Sequence, residues 1–554
     1  MWQGRFSLIG ADRRKFAKRK CLINRLFRNL FESKLLLAYG VNSKNLFFFI
    51  FLLLLLLVSN SCDNASKKRA MDKAASDTAK RANIQDRTIP SDTAANRSDS
   101  FVTSLLGRPQ KVYFGDFDTM QKRHAIRVLV PYSRTLFFND MGRERGITAD
   151  NFREFEKFLN QKYKKQLHRI PFTIMFIPTR RDQLISNVIK GLGDIAAGNL
   201  TATEERMREV DFVAPKELGI VSEIVLTRMK DTPVTNLEQL SGRTIYVRKS
   251  SSYFESLQKV NKMLMAKGKI PATLRVMSED LEDEDLMEML NAGIISTILV
   301  DHWMAKMWSQ VLPDIRVNEH VAVGSGYSGC AYRKNSPLLT GELKDFYYNF
   351  DRPLGGVPYL LKKYYQHVKQ LQDPTNSRNA KRFREIIQLF GKYGRQYGFD
   401  PLMLAALGFQ ESGLNQVERS SKGAIGVMQV LPETGLEMKV GDITALEPNI
   451  HAATKYLNLL MTRNFQDAHF DKFNKSMFAF ASYNAGPGKI TRLRKIAADR
   501  RLNPDVWLNN VEIVASEKIG LETTTYVRNV SKYYYSYKLM AERSEEEQEQ
   551  RKAD

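Results

Sequence analysis

The sequence predicts a multidomain chain in which an α/β domain is followed by an all-α domain. Between residues 124 and 350, short apolar runs such as IRVLVPY alternate with helical stretches, which is typical of an α/β domain with a largely parallel sheet. From Ser377 onward the strand pattern disappears, and apolar residues recur at spacings of three and four, as in helices. With 554 residues and 43% apolar content, the chain can form two or three domains with cores of their own.

Residues 1–61 are predicted to be an N-terminal extension and a signal peptide. Leu46–Val58 is entirely apolar, with Lys44 before it and the small polar stretch SNS after it. The run is short for a membrane span and fits the apolar core of a secretory signal. The residues before it are too many for the basic start of such a signal, so we expect translation to begin near Val41.

Cys62 directly follows this signal and is a candidate site of lipidation. The arrangement resembles a bacterial lipoprotein signal, in which Cys62 becomes the lipidated first residue of the mature protein. Ser59 stands where such signals usually have Leu, so a signal cut elsewhere and an uncleaved anchor remain alternatives. Residues 62–123 are predicted to be a flexible tether, because their largely polar composition cannot bury enough surface to offset the ordering entropy.

The remaining boundaries follow from the pattern along the chain. The predicted segments are an α/β domain at 124–350, a linker at 351–377, a helical domain at 378–545 and a frayed, charged tail at 546–554.

The net charge of +23 suits anionic partners such as membrane surfaces, cell-wall polymers or nucleic acid. Nucleic acid is disfavoured, because the chain has no zinc-finger spacing, no RNP-like aromatic pattern and no basic heptad region. Cys21, Cys62 and Cys330 are too scattered for a disulfide framework or a metal site. We expect no metal and no cofactor.

Glu411 is the candidate catalytic acid of the helical domain. A helix is predicted from Asp400, which is followed by Pro, to a Ser-Gly stop at Gly413. Leu404, Leu407 and Glu411 lie on one face of this helix. A carboxyl group held against apolar side chains has a raised pKa and can act as a general acid near neutral pH. The alternative is a surface Glu in the last helical turn.

The residues after Glu411 favour the catalytic interpretation. The stretch SSKGAIGVMQVLP places Gly423 and Gly426 where the backbone must bend, and Gln429 offers an amide close to the acid. Further on, SYNAGPG supplies a Tyr-Asn pair before a glycine turn, and ETTTYVRNV adds another Tyr. Each feature is weak alone. Together, in this order and at this spacing, these features specifically indicate a catalytic site.

Residues from about 378 to 540 resemble the catalytic domain of the soluble-lytic-transglycosylase family, helical enzymes similar to goose-type lysozyme that cleave peptidoglycan glycan strands. The matching residues are Glu411-Ser412, Gly426 to Gln429, Asn449-Ile450, Tyr456-Leu457, Ser482 to Gly486, Glu522-Thr523 and Tyr526-Val527. Val427 and Ser482 replace the family's Leu and Ala. Neither change removes a polar catalytic group.

The resemblance implies a mechanism with one carboxylate and without metal. Glu411 would protonate the oxygen between N-acetylmuramic acid and N-acetylglucosamine, and the substrate's own acetamido group would assist. Ionised Glu411 would then take the proton of the C6 hydroxyl, which leaves a 1,6-anhydro end. Glu418 and Glu433 are interpreted as solvated charges. The residues implied to bind the sugar are Ser412, Gly426, Met428, Gln429, Tyr483, Asn484, Ala485 and Tyr526. Among them, Tyr526 is the implied direct neighbour of Glu411.

The α/β domain resembles the periplasmic solute-binding proteins of the amino-acid type, which have two lobes joined by a hinge. The stretch GLGDIAAGNLTATEERMREVDFVAP carries the match. The resemblance implies that Arg206 binds a ligand α-carboxylate, with Thr201 as a nearby hydroxyl donor. It also places Ser250 and Ser251 at an anion-binding helix start. It further implies that Asp301 binds the ammonium group of the ligand. The alternative is that these residues only cap helices and turns.

The pairing of the two domains resembles the F type of the membrane-bound lytic transglycosylases over nearly all of residues 62–545. It implies a lipid-anchored enzyme on the periplasmic face of a bacterial outer or inner membrane. The implied partners are peptidoglycan glycan strands, the membrane, and a muropeptide or amino-acid ligand. A catalytically weak peptidoglycan or muropeptide receptor and a hydrolytic muramidase are the alternative functions.

Overall fold

The structure, a computed structural model, describes residues 112–167, 170–214, 220–350 and 372–553. The predicted signal peptide, the predicted lipidation at Cys62 and most of the predicted linker lie outside these residues. None of the described helices has both the length and the apolar content that a membrane span requires.

The first lobe of the α/β domain is built on parallel strands. Strand β1 pairs in parallel with both β4 and β5. In chain order the elements are α1 (Phe117–Arg123), β1 (Ala125–Val130), β2 (Phe138–Asp140), β3 (Arg143–Arg145), α2 (Ile147–Lys162), β4 (Thr173–Pro178), α3 (Leu184–Ile189), β5 (Ile195–Thr201), α4 (Glu204–Glu209) and β6 (Val210–Val213).

The second lobe has the same alternation of strands and helices. Strand β8 is parallel to β9 and β10, and β7 is antiparallel to β10. Its elements are β7 (Ile220–Arg228), β8 (Thr244–Arg248), α5 (Ser252–Ala266), β9 (Thr273–Met277), α6 (Asp283–Asn291), β10 (Thr297–Asp301) and α7 (His302–Trp308).

One long strand, β11 (Ile315–Arg333), connects the two lobes. Its first part, Ile315 to Tyr327, pairs with β7 of the second lobe, and its last part, from Ser328, pairs with β5 and β6 of the first lobe. The sheet order is therefore β4-β1-β5-β11-β7-β10-β8-β9, with β6 also on β11. Helix α8 (Pro337–Asn349) then returns to the first lobe. This confirms the predicted two-lobed α/β fold.

The predicted tether is wrong at its C-terminal end. Residues before β1 form helix α1, and Phe117 and Met120 are buried in the core of the first lobe. Asp116 caps α1 and also accepts hydrogen bonds from the backbone N–H groups of Leu338 and Leu339 at the start of α8. The two apolar side chains and this shared cap hold the segment against the domain.

The C-terminal part is helical, as predicted. Its central helix is α10, whose residues Met403–Phe409 are all buried between α9 and α16. The helices are α9 (Ser377–Tyr397), α10 (Pro401–Ser412), α11 (Pro432–Met438), α12 (Leu446–Asn464), α13 (Lys472–Ala485), α14 (Pro487–Asp499), α15 (Glu512–Ile519) and α16 (Leu521–Ala553).

The predicted frayed tail at 546–554 is also corrected, because α16 continues as a helix through Ala553. The sequence from Leu521 to Ala553 contains no Gly or Pro that would stop it. Glu546 in addition forms an ion pair with Arg275 of the second lobe.

Helix α16 also binds the α/β domain through a buried group of charges, which we call the α6–α16 charge cluster. It contains Arg134, Asp285, Glu288, Arg528 and Lys532. Lys532 Nζ lies 3.0 Å from Asp285 and 2.5 Å from Glu288, and Arg528 lies 3.4 Å from Asp285. Arg134 of the first lobe reaches Glu288 at 2.8 Å. All five residues have side chains that are at most 15% exposed, so the two domains share desolvated ion pairs.

Candidate active site

Glu411 lies at the end of helix α10, and the predicted limits of this helix are confirmed. Asp400 caps its N-terminus by accepting a hydrogen bond of 2.7 Å from the backbone N–H of Leu402. Gly413 ends it with a left-handed φ of 61°, a conformation that glycine adopts without strain. These two local signals place the half-buried Glu411 in the last turn, over the apolar core.

The carboxyl group of Glu411 accepts a hydrogen bond from the hydroxyl of Tyr526, which belongs to α16. Burial raises the pKa of Glu411 to about 7, although the Tyr526 hydrogen bond acts in the opposite direction. In the described part of the chain, no second carboxylate contributes to this shift. Burial raises the pKa of the Tyr483 hydroxyl, and the nearby charge of Glu411 acts in the same direction. A carboxyl group with such a pKa is partly protonated at neutral pH and can donate a proton.

A tight turn containing Gly426 and Gln429 lies beside Glu411. Gly426 has a φ of 78°, and a Cβ atom there would lie 2.6 Å from Gln416 Nε2 and 2.7 Å from Asn449 Nδ2. Only glycine therefore fits this position. Gln429 also has a positive φ, and its side-chain amide donates to the Gly426 carbonyl at 2.9 Å. Gln416 accepts from the N–H of Val427 at 3.1 Å. The turn is thus fixed from both sides.

Asn449, at the start of α12, also fixes this turn through side-chain hydrogen bonds. Its side chain is completely buried. The Oδ1 atom accepts from the N–H of Met428 at 2.9 Å, and Nδ2 donates to the carbonyls of Ile425 at 2.8 Å and Ile443 at 3.1 Å. The resemblance included Asn449 but gave it no role. The sequence feature that could have indicated this buried role is the single Asn that begins the stretch NIHAATKYL.

Ser412 lies between the end of α10 and the turn, and Met428 lies within the turn. Ser412 Oγ donates to the carbonyl of Val427 at 2.8 Å and accepts from the N–H of Asn415 at 3.0 Å, so it joins the end of α10 to the turn. Met428 is completely buried. The prediction that Met428 contacts the sugar is therefore wrong for this structure, because its side chain packs in the core beside Gly408.

The Tyr-Asn pair approaches from the end of α13. Tyr483 Oη donates to the carbonyl of Met428 at 3.0 Å and is placed to donate also to that of Gln429 at 3.2 Å. Asn484 is exposed, and its side-chain oxygen accepts from Thr523 Oγ1 at 2.8 Å. Ala485 is half-buried at the last position of α13. The structure thus brings the candidate residues from α10, the turn, α13 and α16 to one place.

No metal site accompanies this arrangement in the residues that the structure describes, since no three His, Cys, Asp or Glu side chains there come together in a suitable way.

In the α/β domain, Arg206 bridges the two lobes. Its Nη1 donates to the carbonyl of Thr201 in the first lobe at 3.0 Å, and its Nη2 donates to that of Ser250 in the second lobe at 2.8 Å. Glu255 lies 3.7 Å from its Nε. Desolvation lowers the pKa of Arg206, whose side chain is 13% exposed, so its guanidinium is only partly compensated by its neighbours.

A cavity of about 80 Å³ opens between the lobes beside Arg206, and Ser250 and Ser251 also line it. Asp301 is set back from this lining. Its carboxylate is 1% exposed and accepts a hydrogen bond of 2.6 Å from Asn199, which does line the cavity. Burial raises the pKa of Asp301 to about 7. The structure therefore brings Arg206 and the two serines to one cavity and places Asp301 one side chain behind it.

Two arginines of this cavity, Arg181 and Arg248, were not predicted from the sequence. Arg181 forms a buried ion pair with Glu282, and Arg248 forms one with Asp283. Arg248 ends the apolar strand TIYVR, and an Arg at a strand end is usually exposed. The pattern gave no sign that it faces the cleft.

Comparison with known proteins identifies two domains in the chain. Residues 388–505 match the Transglycosylase SLT domain, and residues 128–346 match the bacterial extracellular solute-binding proteins, family 3. Glu411, the turn at Gly426 and Tyr483 lie within the first match. Tyr526 lies beyond its C-terminal limit.

Several curated proteins are similar over most of the chain. The membrane-bound lytic murein transglycosylase F of Desulfosudis oleivorans is 29% identical over 374 residues, which cover 64% of this chain and 79% of that protein. The protein of the same name from Pseudomonas fluorescens is 26% identical over 428 residues, 74% of this chain and 84% of that protein. Among solved structures, an ancestral amino acid-binding protein that precedes cyclohexadienyl dehydratase is 19% identical, with a TM-score of 0.36, and covers 45% of this chain and 99% of its own.

Proposed function

We propose that this chain, which carries the two domains of the membrane-bound lytic murein transglycosylase F type, is a lytic murein transglycosylase with a ligand-sensing α/β domain. One observation supports the enzymatic part most directly. Glu411 is a half-buried carboxyl group with a pKa of about 7 beside Tyr526 and Tyr483, within the residues that match the transglycosylase domain.

The reaction uses Glu411 twice. As an acid it protonates the oxygen of the β-1,4 bond between N-acetylmuramic acid and N-acetylglucosamine, and the C1–O4 bond breaks. The substrate's acetamido group stabilises the positive charge at C1. Glu411, now ionised, takes the proton of the C6 hydroxyl, and the C6 oxygen bonds to C1. The products are a 1,6-anhydro end and a free C4 hydroxyl, with Glu411 again protonated and no water consumed.

The surrounding residues position the acid and the sugar. Tyr526 orients the Glu411 carboxyl group. Its hydroxyl donates a hydrogen bond to this group and can keep donating when Glu411 is ionised. Ser412 and Tyr483 act through the turn, because both donate to its backbone carbonyls. Gln429, Asn484 and Ala485 are at least partly exposed and are proposed to contact the sugar, whereas the buried Gly426 shapes the turn that presents Gln429.

We expect a basic limb in the pH profile near pH 7, since kcat/KM falls as Glu411 loses its proton. Tyr526→Phe removes the hydrogen bond that lowers the pKa of Glu411, so the limb moves to higher pH while the maximal rate falls. Initial rates on soluble peptidoglycan fragments from pH 5 to 9 measure both effects. Tyr393→Phe, which removes a hydroxyl bonded to the distant Glu447, is the control. An unchanged limb in Tyr526→Phe would contradict the assigned contact.

Digestion of purified peptidoglycan followed by mass analysis of the products tests the enzymatic proposal. Muropeptides with ends one water lighter than reducing ends support it. Reducing ends indicate a hydrolytic muramidase, and an absence of products indicates a receptor.

The α/β domain is proposed to bind an amino acid or a muropeptide with a free carboxylate. The reason is the incompletely compensated, buried guanidinium of Arg206 at the inter-lobe cavity. A carboxylate there receives two charge-assisted hydrogen bonds. Ligand binding favours the arrangement of the two lobes to which the ligand binds more tightly. It can alter the catalytic groove only to the extent of this difference in affinity.

Arg206→Ala is expected to weaken this ligand by about 2 kcal/mol or more, as when one partner of a buried charged pair is removed. Calorimetry on the full chain with a panel of amino acids and stem peptides measures the change. Arg208→Ala on the same helix removes an exposed Arg and should bind like the parent. If no member of the panel gives heat, or if Arg206→Ala binds equally well, the domain is not a sensor of this kind.

The relatives are named membrane-bound, and the finer proposal is that this chain is held by a lipid on Cys62, on the periplasmic face of an outer or inner membrane. Cys62→Ala should move the protein from the membrane fraction to the soluble one, or leave the signal peptide attached. Mass spectrometry of the native N-terminus measures this directly. An unlipidated mature N-terminus at another residue would show that the anchor is different.

A further inference from the structure

Arg248 has two hydrogen-bond donors without acceptors among the described residues. Its side chain is 2% exposed and lines the inter-lobe cavity, yet neither Nε nor Nη1 makes a hydrogen bond. The Nη2 atom is bonded to Asp283, and Glu282 is 3.6 Å from Nη1, which is too far for a hydrogen bond.

Such unmet donors are unusual in a protein interior, because a buried N–H group without an acceptor loses its hydration and gains nothing in return. The neighbouring Arg181 shows the usual situation. Its Nε and Nη2 donate to Glu282, and its Nη1 donates to the carbonyl of Gly198 at 2.6 Å. Arg248 therefore has two unmet, buried donors in a side chain that lines the cavity.

The charge around Arg248 determines what kind of acceptor fits. Asp283 contacts the guanidinium directly and Glu282 lies within ion-pair distance, so the positive charge is already balanced. A second carboxylate in the cavity would be repelled by these two acids. A neutral carbonyl oxygen can accept from Nε and Nη1 without this cost, and an amide N–H beside it can donate to Asp283.

We infer that Arg248 forms an amide-recognition subsite, so that the ligand carries an uncharged amide group in addition to the carboxylate that Arg206 binds. This inference rests on the ligand-sensing function proposed above. The amide can be a side-chain carboxamide or a peptide bond. The helix start at Ser251, which lines the same cavity, lies next to the subsite.

Calorimetry on the full chain tests the subsite with four ligands that share one amino-acid end. They are glutamine, γ-glutamyl-methylamide, glutamate and norvaline, whose far ends carry a carboxamide, a secondary amide like that of a peptide bond, a carboxylate and a methyl group. We expect glutamine or γ-glutamyl-methylamide to bind at least tenfold more tightly than norvaline and glutamate. Which of the two binds more tightly identifies the source of the amide.

Arg248→Lys keeps a positive charge near Glu282 and Asp283 but removes the guanidinium fork. It should weaken the amide ligands by about tenfold and leave norvaline unchanged, whereas Arg206→Ala should weaken all of them. Because Arg248 is buried, the parent's ligand preferences are an independent measure if the variant does not fold. If both amide ligands bind no more tightly than norvaline, or if glutamate binds most tightly, the subsite is overturned and the sensing proposal stays intact. Failure of all four ligands to bind overturns both.

Discussion

Replacing Glu411 with Gln is expected to lower peptidoglycan turnover by roughly a thousandfold or more, within the range attributed to general acid and base catalysis. The amide has nearly the shape of the acid but can neither donate the proton to the glycosidic oxygen nor take one from the C6 hydroxyl. Glycan binding should persist, since the turn and the tyrosines remain. Release of soluble muropeptides at pH 6 measures turnover, and sedimentation with insoluble peptidoglycan measures binding.

Glu433→Gln is the matched control for this change. Glu433 is an exposed carboxylate in the first turn of α11, and its loss should leave turnover unchanged. A Glu411→Gln variant within tenfold of the parent would contradict the mechanism with a single acid.

The Glu411→Gln variant also tests whether burial raises the pKa of Glu411. The pKa of this carboxyl group in the folded protein, about 7, exceeds its ordinary value of 4.5. The folded state therefore holds the proton over this range while the unfolded state releases it, so the parent loses stability as the pH rises from 4.5 through 7. Glu411→Gln has no such loss. Its melting temperature should exceed that of the parent at pH 8, and the difference should shrink at pH 5. A lower melting temperature than the parent at pH 8 would contradict this.

The second large effect is expected at the α6–α16 charge cluster. Lys532→Met should lower the free energy of unfolding by about 3–5 kcal/mol, because it leaves Asp285 and Glu288 buried with too little positive charge. Chemical denaturation followed by tyrosine and tryptophan fluorescence measures the loss. Lys392→Met removes a more exposed Lys that pairs with Glu447 and should cost less than about 1 kcal/mol.

A second substitution separates loss of charge from loss of packing. Adding Glu288→Gln to Lys532→Met removes one of the acids left uncompensated, so the double variant should regain part of the lost stability. If Lys532→Met is as stable as Lys392→Met, or if the double variant is weaker by the full sum of the two single changes, the cluster does not join the domains in the way described.

Local signals allowed the sequence to predict α10 correctly. The Asp-Pro start and the Ser-Gly stop act on the neighbouring backbone alone, so no tertiary information was needed. The contact between Glu411 and Tyr526 is different. These residues are 115 positions apart, and no spacing rule joins them. Resemblance to a family of known fold suggested this contact.

Other features were missed because they depend on packing between distant segments. The acidic stretch EDEDLMEML looks like a solvated helix face, and only the folded chain brings Arg134, Arg528 and Lys532 against it. Arg248 was missed for the same reason. Helix α1 was assigned to the tether because it is short and buries only two side chains. The motif around Arg206 identified the cleft, but the position of Asp301 behind Asn199 depends on side-chain orientation.

The fate of water in the reaction tests the central claim most directly. Peptidoglycan is digested by the full chain in water enriched in oxygen-18, and the new N-acetylmuramic acid ends are analysed by mass spectrometry. Since the C6 hydroxyl attacks C1, we expect 1,6-anhydro ends, one water lighter than reducing ends and free of the label, and none from Glu411→Gln. Reducing ends that carry oxygen-18 at C1 would contradict the account, because they would show that water and not the C6 hydroxyl completes the cleavage.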